Sequence, residues 1–588
     1  MPGFPFTLQP IFAYNVRVRI FAPLLFSTLL LLPCDFAVAG SATWKPHPTS
    51  GDWNSAANWR PRTIPNGTGD VATFGTSDTT DISLPTSQIE VDGVVFNPDA
   101  SAFTISGTSA IDQSVLTFSG AGITNNSGVT QTFVSNSTWI EGMVFHNQAT
   151  AGAQTTLSIK DSSVSAIGFH DQASAGSATI LIPGNGDFGD GNPEVLFYDS
   201  ATADHSTMIA AGGSGDHGEG AAIIFFDSST AANAAMTVTG ATNPTAYGGG
   251  ILIFEGSSTA GASIITNEGT SIVASSGGTR FAEDATAENA TITAEGASGS
   301  DGFAADVVFE GNSDAENATL IANGGTNGGD GGTIQFWDTS DGGTARIELF
   351  DNGALDLSNV ADTYLDLGSI EGNGMISLGD RHNISIGTNN LSTTFSGVIE
   401  GDSSLGKVGS GTLTLSGANT HTQGTYVSSG FLKVTNRTGS ATGTGQVNVY
   451  DGGTLGGSGI VGSNLLVHAG GTLAPGTGTT TLTVKKLLDF DGNSNYVWRV
   501  KTASAKADKV IGGKVQIIGG ALFTGIAIGN ALLSPGTAFT AIENTSPGPI
   551  SGTFDNLPDG GTIKIGNNTF QANYEGGDGN DLTLTVVP

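Results

Sequence analysis

Cysteine is nearly missing: the only one in 588 residues is Cys34. It sits in an N-terminal segment in which Arg17 and Arg19 precede an apolar run over residues 20–32, and Ala37-Val38-Ala39 then offers a small-x-small cleavage site. The segment reads as an export signal, with the mature chain starting at Gly40. Its 13 apolar residues are too few to span a bilayer, and Pro33 before Cys34 spoils a lipoprotein site. The mature chain then has no thiol, which excludes disulfides and thiolate metal sites. Basic residues are scarce as well: 20 Lys and Arg face 53 Asp and Glu, for a formal charge of −33, or −34 after cleavage. That balance excludes nucleic acid as a natural partner, since neutralising phosphates takes a basic face. Charged residues of both signs reach only 12%, against about a quarter in ordinary domains. Stretches of Glu, Lys, Leu and Ala that would propagate helices are missing, so a helical protein is excluded.

What the chain does hold is glycine, 88 residues of it, with 38% hydrophobic residues in short runs such as Ala222-Ile223-Ile224-Phe225-Phe226. Regular apolar runs exclude disorder and favour short strands between tight turns. Phe145, Phe169, Phe197, Phe225, Phe254, Phe281, Phe309 and Phe336 recur at intervals of 24, 28, 28, 29, 27, 28 and 27 residues. A second apolar strip, Ile180, Met208, Met236, Ile265, Ile292, Leu320 and Ile347, follows each Phe by about eleven residues. A unit of this size cannot close a core alone, whereas stacked copies bury a continuous one. The spacing therefore predicts coils about 4.8 Å apart with the Phe side chains stacked inside as a ladder. The glycine cluster over residues 324–332 is expected to be a corner, where Gly supplies positive φ. Over residues 351–486 the period shortens: Gly411-Thr412-Leu413, Gly430-Phe431-Leu432, Gly453-Thr454-Leu455 and Gly471-Thr472-Leu473 stand 19, 23 and 18 residues apart.

Lys407-Val408-Gly409-Ser410-Gly411-Thr412-Leu413-Thr414-Leu415-Ser416-Gly417, continuing to Gly424-Thr425-Tyr426-Val427-Ser428-Ser429-Gly430, resembles the autotransporter-associated β-strand repeat of passenger domains. His421 stands where Tyr is common, Gln423 where Gly is, and Phe431 where a small residue is. Segments 53–67 and 553–581 also resemble the first and last parts of such proteins. The resemblance implies an exported parallel β-helix that is displayed or released. Autotransporters end in a membrane barrel of about a dozen strands. Here the last 100 or so residues up to Pro588 read instead as strands closing the solenoid, which leaves the route across an outer membrane open.

Chemistry-bearing motifs are thin. His47, His146, His170, His205, His217, His382, His421 and His468 show neither His-Glu-x-x-His spacing nor Cys partners. His146 and His170 follow equivalent Phe residues and are expected to stack on each other. Gly457-Ser458-Gly459-Ile460-Val461-Gly462 matches the dinucleotide pattern by letter, yet strand residues follow it where that pattern needs a helix. Gly576-Gly577-Asp578-Gly579-Asn580-Asp581 resembles one calcium-binding nonapeptide, half a site by itself. Twelve carboxylates between residues 281 and 341, with no Lys or Arg among them, read as a solvated stripe and not as the converging acids of a glycosidase. Trp44, Trp53 and Trp59 are expected to cap the open end of the solenoid, with sugar stacking as the alternative.

The reading is therefore an all-β, right-handed parallel β-helix (β-solenoid) with an N-terminal cap and a C-terminal β capping region. Its parts are a signal peptide (1–39), a cap with the first coils (40–136), eight repeats of about 28 residues (137–350), the shorter repeats (351–486) and the C-terminal cap (487–588). A secreted or cell-surface structural or adhesive protein is expected, with no catalytic, cofactor or metal residues and a monomeric state. The expected partner is an extracellular or surface ligand such as a polysaccharide, with no nucleic acid and no membrane span in the mature chain. The alternatives are a polysaccharide-acting enzyme on a β-helix and a calcium-stabilised secreted protein.

Overall fold

The computed structural model describes residues 39–107, 114–137, 141–160, 165–186 and 192–588. The expected signal segment lies outside the described residues apart from Ala39. Among these residues there are 46 strands and two 3₁₀ turns, Ala56–Asn58 and Thr502–Ser504, and no α-helix. None of the helical segments is long and apolar enough to cross a membrane.

Each 28-residue coil contributes one strand to each of two parallel sheets. In the first, Glu141–Phe145, Ala166–Phe169, Glu194–Phe197, Ala222–Phe225, Ile251–Phe254, Gly278–Phe281, Asp306–Phe309 and Thr333–Asp338 stack in register, Phe on Phe. Alternation along the pleat turns each Phe inward, with the residue two before it. From Phe145 to Phe336 successive ring centroids lie 4.5–4.9 Å apart with planes within 10° of parallel. The predicted ladder is thus present, and Phe118 adds a ninth rung at 4.6 Å. Each rung is fully buried. Burial of a Phe stabilises by about 1.5–3 kcal/mol, and each ring pair adds about 0.5–1.5 kcal/mol.

The second sheet carries the other strip. Ile180, Met208, Met236, Ile265, Ile292, Leu320 and Ile347 are consecutive register partners. Between the sheets, small buried residues such as Ala201 and Ala203 let the chain turn tightly. Single parallel bridges link Thr150, Ser174, Thr202, Thr230, Thr259, Thr286, Asp314 and Asp341 from coil to coil.

The third side of each coil is glycine-rich, and the reason differs from the one expected. Within residues 324–332 only Asn327 and Gly328 have positive φ. The other glycines permit close backbone approach: a Cβ on Gly325 would stand 2.2 Å from the Gly329 carbonyl oxygen, and one on Gly329 would stand 2.4 Å from that of Ala297. Coils pack here through bare main chain.

Beyond residue 350 the coils shrink as the sequence predicts. Leu365, Ile384, Leu405, Thr425, Val447, Leu465 and Leu488 form one continuous row of register partners. Parallel stacking runs past residue 486, through Asn495–Lys501 on Leu522–Ile528 and Lys509–Ile517 on Ala538–Asn544. Pairing then turns antiparallel in Thr562–Ile565, Asn568–Gly576 and Asp581–Val587. Tyr496, Trp498, Phe523 and Phe554 fill that end. At the other end Trp44, Trp53 and Trp59 are buried around Phe74, with Trp59 centred 4.9 Å from Trp44 and 5.0 Å from Trp53. Buried rings cannot stack on a sugar, so the capping role holds and the sugar-stacking alternative falls.

Candidate functional site

Outward rows, not a single cleft, hold most of the polar chemistry. Two residues after each Phe the chain enters the left-handed region, at Asn147, Asp171, Asp199, Asp227, Gly256, Glu283, Gly311 and Asp338. Asn, Asp and Gly are the residues that tolerate it; Glu283 is the exception. Their carboxylates are engaged. Asp171 Oδ2 accepts the Asn147 N–H at 2.9 Å, Asp199 Oδ2 accepts that of Asp171 at 3.0 Å, and Asp227 Oδ2 accepts that of Asp199 at 3.0 Å. Glu283 Oε2 accepts from Gly256 at 3.1 Å. The Asn147 N–H holds the Asp171 carboxyl below its usual range. A shallow groove of about 810 Å³ follows this row, lined by Asn147, Gln148, Asp171, Gln172, Asp199 and Ser200.

One residue after each Phe runs an outer ladder of aromatic rings. His146 stacks on His170 at 4.9 Å, as the sequence implied, and the series continues to Tyr198 at 4.7 Å and Phe226 at 5.0 Å. Each inner ring of the series has both faces against its neighbours, so edges are what the surface presents. Glu141 Oε2 lies 2.9 Å from His170 Nε2. Burial works against the His170 imidazolium, but the Glu141 carboxylate outweighs it and raises the pKa. Burial pushes the Tyr198 hydroxyl up to about 12.

The carboxylates between residues 281 and 341 are dispersed over separate turns, but they are not all solvated and not all without a cation. Arg280, one residue before that stretch, grips Glu310 with two nitrogens, Nε to Oε1 at 2.6 Å. Spacing along the chain hid this pair, because the partners are 30 residues apart and meet only through stacking. Asp306 lies over Gly278, where a Cβ would come within 2.5 Å of its carboxylate, and burial pushes its pKa up to about 6.

Histidine–acid pairs exist without a nucleophile. His468 Nδ1 lies 2.7 Å from Asp491 Oδ2, and its Nε2 is taken by Asn448 Oδ1 at 3.0 Å. His421 Nε2 contacts Thr425 Oγ1 at 2.9 Å inside the coil, where burial drives its pKa down to about 4. The glycine pattern at residues 457–462 lies across Gly453–Gly457 and Ile460–Val461, both strands. Gly576 and Asp581 face each other in an antiparallel hairpin, not in a parallel roll, and Asp581 Oδ1 accepts the Asn544 N–H at 2.9 Å.

No protein-family profile matches the chain. Over 168 residues, 28% of its length, it is 31% identical to an extracellular serine protease of Serratia marcescens, of which that stretch is 15%. Over 94 residues, 16% of its length, it is 38% identical to the adhesin BmaC autotransporter of Brucella suis biovar 1 (strain 1330), of which that stretch is 3%. The chain thus spans a small part of the curated relatives it matches. Repeat sequence, stacked parallel coils and these similarities agree that the chain is a passenger-type β-solenoid of the autotransporter kind.

Proposed function

We propose that this chain is exported and works outside the cell as an adhesive or structural rod without catalytic activity. The observation that carries the reading is the recurrence of like groups at one place on successive coils: turn carboxylates, stacked rings, bridging Thr and Ser. Such rows offer many weak equivalent contacts, whereas catalysis needs a few unlike groups converging within about 1 Å of a set geometry. Similarity to an adhesin supports the reading. The protease relative raises the rival. A serine protease would need a Ser hydroxyl on the free ring nitrogen of a His–acid pair, and in the His468–Asp491 pair that nitrogen faces Asn448. Purified chain applied to host cells, matrix and bacterial surfaces is expected to adhere, and to release neither peptides from casein nor reducing ends from polysaccharides. Cleavage abolished by a serine-directed inhibitor would replace the rod with an enzyme.

A further inference from the structure

The shorter coils carry a groove of about 690 Å³ whose chemistry departs from the rest of this acidic molecule. Phe431, Lys433 and Arg499 line it together with hydroxyls such as Thr454 and Thr480, and no carboxylate does. On the outer face of Gly430–Val434 the alternation of the strand points Phe431 and Lys433 away from the buried Leu432 and Val434. The coil above places Gly453–Gly457 against it, with Lys433 opposite Gly456. Gly456 leaves the floor open: a Cβ there would meet the Ala474 carbonyl oxygen at 1.9 Å and the Phe431 ring at 3.1 Å. The ring therefore leans along the solenoid axis across bare main chain. It presents a face, unlike the rings inside the outer ladder.

Arg499 closes the other end. Its strand, Asn495–Lys501, lies three coils beyond Lys433 through Thr472–Leu473, about 14 Å along the axis at about 4.8 Å per coil. Arg499 Nη1 donates to the Gly476 carbonyl oxygen at 2.9 Å, which fixes the guanidinium while leaving its other N–H groups for a ligand. The nearest acid on that side, Asp508, is buried and spends Oδ1 on the Gly478 and Thr480 N–H groups. Lys433 is exposed.

We propose that this groove binds an anionic polysaccharide, with Lys433 and Arg499 receiving acid groups about three coils apart and Phe431 packing against the sugar ring between them. A flat ring beside fixed hydroxyls suits a sugar's apolar face and its edge groups. Two cations in a net-negative chain select for acid groups that would be repelled elsewhere on it. The site is local and independent of the number of repeated coils, so it stands or falls apart from adhesion by the rows.

The test is calorimetric titration of the full chain with oligogalacturonate, heparin and neutral dextran. Binding of oligogalacturonate or heparin that weakens as salt is raised is expected, with dextran silent; the stronger of the two identifies carboxylate or sulfate as the preferred acid. Lys433→Glu alters an exposed side chain and is expected to weaken binding about tenfold, while Lys433→Gln costs about two- to fivefold. Phe431→Ser, the kind of residue common at this place in the repeat, should weaken binding several-fold with an unchanged far-UV spectrum. Arg499→Lys should retain most binding. Equal binding of dextran, no binding of either acidic polymer, or affinity indifferent to Lys433→Glu and Phe431→Ser would overturn the proposal.

Discussion

Phe254 sits between Phe225 and Phe281, with centroid separations of 4.8 and 4.7 Å and no exposed surface. Phe254→Asp would place a carboxylate among stacked rings with no partner, and a loss of more than about 4 kcal/mol is expected. Ser257, three residues on, is exposed in the turn, and Ser257→Asp should shift stability by less than about 0.5 kcal/mol. Thermal unfolding of the two variants compares them directly, and equal effects would remove the ladder from the account. Asp306 gives the pH dependence. Its folded pKa, raised by burial to about 6 from 3.8, means that the folded state holds the proton more tightly than the unfolded chain. Between those values stability falls as pH rises, and the cost is complete above about pH 6. Asp306→Asn should therefore stabilise by on the order of 2 kcal/mol at pH 7.5 and by almost nothing near pH 4; denaturant unfolding at the two pH values checks it. The Phe rungs were legible from spacing alone because the repeat length equals the coil length. Asp306 was not, because Gly278, the residue that lets it lie flat, is a neighbour only across a coil.

At the level of the turn, the acidic row looks from its composition like a loading site for metal. Stacking changes that reading: Asp171, Asp199, Asp227 and Glu283 each accept a backbone N–H from the coil before. A carboxylate so engaged has less to offer a cation, and a calcium ion requires six to eight oxygens. We expect millimolar calcium to raise the unfolding temperature only slightly, through screening, with magnesium nearly equal. A large calcium-only shift that disappears in Asp578→Ala/Asp581→Ala would mean a specific site. The glycine side teaches a similar lesson. Its existence was legible, its cause was not: composition points to positive φ, but Gly325 and Gly329 are needed because another backbone lies within van der Waals distance of the missing Cβ. Likewise Phe431 stood out as a departure from the repeat, yet Gly456 and Arg499 join it only through the register of successive strands.

The whole molecule is held together by neighbour-to-neighbour contacts repeated along one axis, and the sequence made this plain wherever the repeat is regular. It was less plain at the C-terminal end, where parallel coils continue beyond the last recognisable repeat and then give way to antiparallel hairpins with no period to read. If the coils are the units of stability, one of them can be removed in register. Deleting residues 254–280 joins Ile253 to Phe281, brings Phe281 onto Phe225 and sets Thr291–Ala294 on Ala235–Val238. Glu310 loses Arg280 in the process, so Glu310→Gln is included to spare it an unpaired charge. The decisive measurement is the unfolding transition of this variant followed by far-UV circular dichroism. The account predicts the β-spectrum of the parent and one cooperative transition with its midpoint lowered by a few degrees, about the share of a single coil. Loss of the cooperative transition would contradict it, since a core that cannot spare one coil is not a stack of equivalent ones.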